Sequence, residues 1–315
     1  MRPVVRVAGS RRRFVQRTAA LAVGVAVAAC GDPVRHKREV ATWLEPLHGF
    51  YGGLLTDRMD PTGTPLPGGN ETSFSFLAPE GVVSVLGSLF VADAGYGRVF
   101  RLDRGTGLMA AVPGLRIASG TKLRAGLDGT LYVLDPLGAE IRRVSLHGVS
   151  LPAMHARLPT SRYLDFVVEG ATGRVFAVDG VHKLIDRIEP VGRVALDILE
   201  IDAAGPIALQ DGSVLLADNR CACVNEFREG KLVRRLGQGL IRQAADLVVD
   251  RGEIYLLDAF DRSISRVNEG GLESIFPAQL DLISPKQIFV SNGIMHVADP
   301  AKRAVSLYRI HRRLP

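Results

Sequence analysis

Two cysteines one residue apart, in the stretch Asn219-Arg220-Cys221-Ala222-Cys223, are the most reactive pair in the sequence. In a turn, Cα atoms at this spacing can reach the ~4.4–6.8 Å that a disulfide spans. The residue types leave three readings open: a structural disulfide, which is the working expectation, two thiols, or a redox or metal-binding pair. His182 bears on the third, because it follows Asp179 at the same distance as Cys221 follows Asp218. Imidazole with thiolate would suit Cu(I) or Zn²⁺ better than Ca²⁺. A second group consists of Glu80, Lys122, Asp165, Asp246 and Lys286, each at the start of a short apolar run. Its carboxylates could hold a hard divalent cation through oxygens. The plainer reading is a solvated, mixed-sign rim whose ion pairs contribute ~0–1 kcal/mol each. No G-x-S-x-G, C-x-x-C, HExxH or phosphate-binding glycine loop is present, so no catalytic residue is assigned.

The elements that must position these residues come from a repeat. Six segments share a glycine followed six residues later by an aspartate: GSLFVAD, GTLYVLD, GRVFAVD, GSVLLAD, GEIYLLD and GIMHVAD. The aspartates are Asp93, Asp135, Asp179, Asp218, Asp258 and Asp299, at intervals of 42, 44, 39, 40 and 41 residues. Apolar residues recur six and nine places beyond each one, from Val99 and Leu102 to Val305 and Tyr308. Each unit reads as four antiparallel strands. A first strand such as Phe166–Val168 leads through an Asp-Gly or Asn-Gly hairpin into a second strand that ends at the aspartate. The aspartates are expected to cap the turns that follow by accepting backbone N–H bonds. Weaker fourth strands are expected at Leu108–Val112, 194–198, Lys231–Leu236 and 272–276.

Four-stranded units of ~40–45 residues predict an all-β fold, a six-bladed β-propeller. The sixth unit runs out after its third strand, so an N-terminal strand must close the ring. The alternating stretch Thr72-Ser73-Phe74-Ser75-Phe76-Leu77 is expected to supply it, placing the propeller at residues 72–315. Ligands of propellers sit at the channel or across one face. The first-strand entries therefore become the channel-mouth candidates.

The segment GSLFVADAGYGRVFRLD, preceded by PEGVVSV, resembles NHL-repeat propellers, a family that consists mostly of binding platforms with some enzymes. Ala78-Pro79-Glu80-Gly81 is also similar to the first metal-ligand segment of gluconolactonase-type propellers, which implies a divalent ion on Glu80. That family also needs an asparagine at later inner-strand entries, and none stands there. NHL-class amidating lyases imply several histidines around a metal, and no histidine falls on an expected inner strand.

The N-terminus reads as an address. Ser10-Arg11-Arg12-Arg13-Phe14-Val15-Gln16 resembles the twin-arginine export signal, carried by Arg11, Arg12 and Phe14. The apolar stretch from Ala19 to Ala29 has eleven residues, too short at ~1.5 Å per residue to cross a core of about 30 Å. Val27-Ala28-Ala29-Cys30 looks like a lipobox, which implies lipidation of Cys30 and residues 30–71 as tether and linker. Removing residues 1–29 takes away six arginines and no acid, so the formal charge of +6 falls to zero. Basicity then gives no warrant for a nucleic-acid partner. The expectation is a monomeric, periplasmic lipoprotein held in a membrane through Cys30, with Gly31-Asp32 favouring the outer membrane. It binds a protein or glycan partner and carries no cofactor. A metal-dependent hydrolase or lyase at the channel mouth is the alternative.

Overall fold

The computed structural model describes residues 42–136, 140–191, 199–275 and 281–312. Arg11, Arg12, Phe14, Cys30 and the expected strand at 194–198 lie outside them. The described chain is all β: six sheets, each with four antiparallel strands, form a six-bladed propeller. The inner strands are Pro79–Val85, Lys122–Ala125, Tyr163–Glu169, Ile207–Gln210, Ala244–Asp250 and Gln287–Ser291, and neighbouring inner strands pack against each other around the whole ring. We number the blades 1 to 6 in that order.

The second strands explain why the repeat is so apolar. Ser88–Asp93 and Ser213–Asp218 are buried at every position, because each blade is covered on both faces by its neighbours. Alternating side chains therefore feed two different cores. Six apolar clusters result, one for each seam. That between blades 5 and 6 is built on Tyr255, Leu257, Met295 and Val297, and that between blades 6 and 1 on Val82, Val91, Ala298 and Val305.

The repeated aspartates tie three chain segments together. Asp93 Oδ1 accepts from Gly95 N in the following turn at 3.0 Å and from Ala78 N at 2.9 Å, while Oδ2 accepts from Leu77 N at 2.8 Å. Asp258 does the same with Phe260, Asp261, Arg242 and Gln243, and Asp299 with Lys302, Ile283 and Ser284. Asp179 and Asp218 accept from Val181 and Arg220 two places on. Asp135 lies 3.9 Å from Arg142, and its turn at 137–139 is outside the described residues. The fourth residue past five of these aspartates has positive φ: Gly97, Lys183, Ala222, Arg262 and Arg303. Only blade 1 uses the residue that adopts this conformation without a Cβ penalty.

Ring closure differs from expectation. The strand that completes blade 6 is Thr42–Pro46, paired antiparallel to Ala304–Arg312 with Thr42 opposite Arg312 and Pro46 opposite Tyr308. Thr72–Ser75 pairs instead with Gly52–Leu55, which runs parallel to the outer strand of blade 1 and widens that sheet to six strands. The reason lies in the pattern of burial. Leu44 is 1% exposed within the seam of blades 5 and 6, whereas the 72–75 strand has three exposed residues and a half-buried Phe74 set against Tyr96 and Phe100. The chain from 42 to 75 thus straps blade 6 to blade 1. Part of the expected 30–71 linker is consequently propeller, and Thr62 within it accepts a hydrogen bond from Arg101 at 2.6 Å.

His296 faces the same seam, between Ile294 and Ala298 on one side of its strand. It is fully buried, with neither ring nitrogen in a well-formed hydrogen bond, and burial, reinforced by Arg104, pushes its pKa down to about 4. The unfolded chain takes up a proton below its ordinary pKa of 6.5, the folded chain only near 4. Stability should therefore drop by about 3 kcal/mol as pH falls through that window. Urea unfolding at several pH values should show this slope in the parent and lose it in His296→Leu; equal slopes would refute the assignment. Leu44→Ala should cost about 2–5 kcal/mol in thermal unfolding and the exposed Leu54→Ala under about 1. The reverse order would mean that Thr42–Pro46 is not the closing strand.

Candidate functional site

The first strands point one ring of side chains at the propeller axis. Strand registers place Gly81, Lys122, Asp165, Asp246 and Gln287 at equivalent positions, opposite Ala92, Leu134, Val178, Leu257 and Ala298. Pro206 takes the blade 4 position, with its carbonyl bonded to Ala217 N. Glu80 and Lys286, expected at the channel mouth, stand one residue earlier than the ring position and line the mouth cavity. Bulges opposite the aspartates, as between Pro79 and Gly81, shift the register there.

The ring is not a solvated rim. Asp165 is 2% exposed and Asp246 0%. Between them reaches Arg124, two residues beyond Lys122 and therefore on the same side of the blade 2 strand. Its Nη2 donates to Asp246 at 2.7 Å and to Asp165 at 3.2 Å, so one guanidinium joins blade 2 to blades 3 and 5. The carboxylates are used further: Phe166 N and Ile207 N donate to Asp165 at 2.9 and 3.2 Å, and Ile288 N to Asp246 at 2.9 Å. Gln287 completes the layer, donating to the carbonyls of Leu123 at 2.7 Å and Val82 at 3.2 Å. Lys122 Nζ donates to Ala245 O at 2.9 Å. Burial pushes the carboxyl of Asp165 above its ordinary range, against the opposing pull of Arg124 and Lys122. The guanidinium's shorter bond goes to Asp246, which leaves Asp165 the less compensated of the two.

This layer separates two cavities. On the hairpin face a space of about 390 Å³ is lined by Val167, Ala208, Val248 and Phe289, with Arg124 at its inner end. On the aspartate-turn face a space of about 250 Å³ is lined by Glu80, Ser119, Gly120, Lys122, Gln243 and Lys286. Glu80 takes hydrogen bonds from Ser119 Oγ at 2.8 Å and from Gly120 N.

The divalent cation implied by the gluconolactonase-type resemblance does not fit these donors. Asp165 and Asp246 already share a buried cation, Arg124, and Glu80 turns both oxygens to the 119–120 loop. No cluster of three or more His, Cys, Asp or Glu ligands exists among the described residues. His182 and the cysteines are likewise not brought together. His182 Nδ1 meets Asp179 Oδ2 at 2.7 Å and Nε2 meets Thr160 Oγ1 at 3.1 Å, which fastens the 160–162 loop to its turn. Burial opposes ionisation of Asp179, yet hydrogen bonds from Ser161 and His182 hold it down at about 2. Cys221 and Cys223 are joined as a disulfide across a Cα–Cα distance of 5.2 Å, with Ala222 between them at positive φ.

Sequence reasoning missed Arg124 and the part played by Gln287. A signal for Arg124 was present: a lone arginine between Leu123 and Ala125 in an inner strand, two places from Lys122, points where Lys122 points.

No protein-family model and no curated protein matches the chain in sequence. Solved structures match it in fold. A structural genomics protein of unknown function from Bacteroides thetaiotaomicron has a TM-score of 0.65 at 14% identity, over 86% of this chain and 76% of its own. A catalytically inactive variant of virginiamycin B lyase from Staphylococcus aureus, with quinupristin, gives 0.59 at 12% identity over 85% and 99%. A protein assigned to the gluconolactonases gives 0.57 at 13% identity over 76% and 90%. At these identities the likeness is one of fold.

Removing the guanidinium would strand two buried carboxylates. Arg124→Ala should lose about 3–5 kcal/mol at neutral pH. In that variant the carboxyls have folded pKa values above their unfolded ones, so stability should rise as pH falls towards 5. Asp165→Asn with Asp246→Asn in the Arg124→Ala background should restore stability and abolish that slope. Chemical unfolding measures both, and a pH-independent Arg124→Ala would contradict the buried triad.

Proposed function

We propose that this chain is an exported, lipid-anchored NHL-type propeller that binds a protein or glycan partner across its aspartate-turn face and performs no reaction of its own. One observation carries the reading. The axial carboxylates that a metal-dependent hydrolase or lyase would need are consumed by Arg124, so the mouth offers Lys122 and Lys286 beside an already bonded Glu80. Such a mouth can hold and orient a ligand. It supplies neither a Lewis acid nor a nucleophile paired with a base. The export segment and the Val27-Ala28-Ala29-Cys30 stretch support anchoring of the mature chain through Cys30, in the outer membrane of a periplasm-facing cell envelope.

Elemental analysis of the purified mature protein, with melting temperature followed in chelator and in added Ca²⁺ or Zn²⁺, tests the non-catalytic reading. Substoichiometric metal and an unchanged melting temperature are expected. One tightly held metal per chain would overturn the reading in favour of the enzyme. Mass spectrometry of the membrane fraction should find acylated Cys30, and Cys30→Ala should release the protein; an unmodified Cys30 there would remove the anchor.

A further inference from the structure

The loops of the two faces carry opposite charge. On the aspartate-turn face Arg242 pairs with Asp261 at 3.4 Å and Lys302 with Asp281 at 3.1 Å. Arg162, Lys183, Arg220, Arg262, Lys286 and Arg303 share that face, and no carboxylate pairs with them among the described residues. Arg162 and Arg220 are held in place by donation to the carbonyls of Ser161 at 2.8 Å and Asp202 at 3.0 Å. The hairpins of the opposite face hold Asp128, Asp211 and Glu229 against Arg104 and Arg251, and Glu189 and Glu269 there pair with Arg174 and Arg234. The basic excess of the loops thus sits on the aspartate-turn face.

Large apolar side chains are exposed on the basic face, as Leu86, Leu127, Val149 and Val191 are on the opposite hairpins. On the basic face Leu164, Val181, Leu240, Phe260 and Ile283 are 45–61% exposed, on turns and strand entries of blades 3 to 6. Arg242 lies over the Phe260 ring at 5.0 Å. At the centre is the mouth cavity with Lys122 and Lys286.

Resting on the binding-platform reading above, we infer that this face docks a protein partner with an acidic surface, one of whose carboxylates enters the mouth beside Lys122 and Lys286. The cations select sign and steer encounter, and the aliphatic residues call for apolar contacts that a partner's side chains supply. A glycan would leave Leu164, Val181, Leu240 and Ile283 facing hydroxyls. An anionic lipid surface would match both features, but the chain enters on the other side. Thr42, the first described residue, pairs with Arg312 at the hairpin end of the last strand, on the side of the disc opposite the basic face. A stable contact needs about 800 Å² on each partner, which a rim spanning four blades with a central pocket can offer.

The test uses the exported full chain carrying Cys30→Ala and a fluorescent peptide of alternating Glu and Leu. A Lys-Leu peptide, polygalacturonate and phosphatidylglycerol vesicles serve as comparisons. The Glu-Leu peptide should bind saturably, weaken with salt, and lose about tenfold in affinity when Arg162→Glu and Lys286→Glu are combined. Arg104→Glu with Arg251→Glu, on the opposite face, should leave it unchanged. Tighter binding of polygalacturonate or of the vesicles would assign the face to a glycan or a membrane and overturn the inference. Peptide binding that ignores Arg162 and Lys286 would overturn it too. Failure here is distinct from failure of the platform reading, because a stoichiometric metal sinks that reading whatever the peptide does, and a metal-free protein that ignores the peptide sinks only this inference.

Discussion

One guanidinium at the axis sets the terms for this propeller. Arg124 bridges two carboxylates that are both almost without solvent, Asp165 and Asp246, and in doing so connects three blades that are remote in sequence. Desolvating three charges is costly, and their mutual attraction offsets that cost only where the geometry is good and the remaining lone pairs are filled. Both conditions hold here. Backbone N–H groups of Phe166, Ile207 and Ile288 fill the carboxylate oxygens, and Gln287 bonds the adjoining strands of blades 1 and 2. The charges thereby act as a register device: an inner strand displaced by one residue would leave a buried carboxylate facing no cation.

The same layer shapes the space left at the axis. It lies between two cavities, one on the hairpin face lined by Phe289, Val248, Glu169 and Asp211 and one on the aspartate-turn face that bears Lys122 and Lys286. It also uses up the acidic side chains that would otherwise draw a metal. Solved propellers of similar fold include a lyase and a protein assigned to the gluconolactonases, so the fold by itself specifies no activity. What an axial site does follows from its residues, and here they are already satisfied by one another.

Closure is the second constraint. A ring of repeats has no free edge only if its ends meet, and the meeting strand must be apolar on the side that faces the neighbouring blade. Leu44 meets that demand, and the Thr72–Ser75 strand does not. The segment between them then crosses the seam of blades 6 and 1, where Phe50 and Val305 exchange backbone hydrogen bonds at 2.8 and 2.9 Å. The buried His296, its pKa pushed down by burial, lies in that seam.

Sequence alone determined the blade count, the strand order within a blade and the aspartate at the end of each second strand. These are local features repeated six times, and repetition turns a weak period-two pattern into a firm one. The nearness of Cys221 to Cys223 was legible for the same reason. Tertiary structure alone decided which side chains meet at the axis. Strand register puts Gly81 and Gln287 in the ring with Lys122, Asp165 and Asp246, one residue beyond Glu80 and Lys286, which line the mouth. Arg124 and Asp246 are 122 residues apart and share no repeat position. Likewise Thr42–Pro46 pairs with strand residues some 260 places away, and no local pattern distinguishes it from the alternating stretch at 72–77. A long-range choice of this kind is made by burial and charge compensation in the closed ring, which exist only once all six blades are in place.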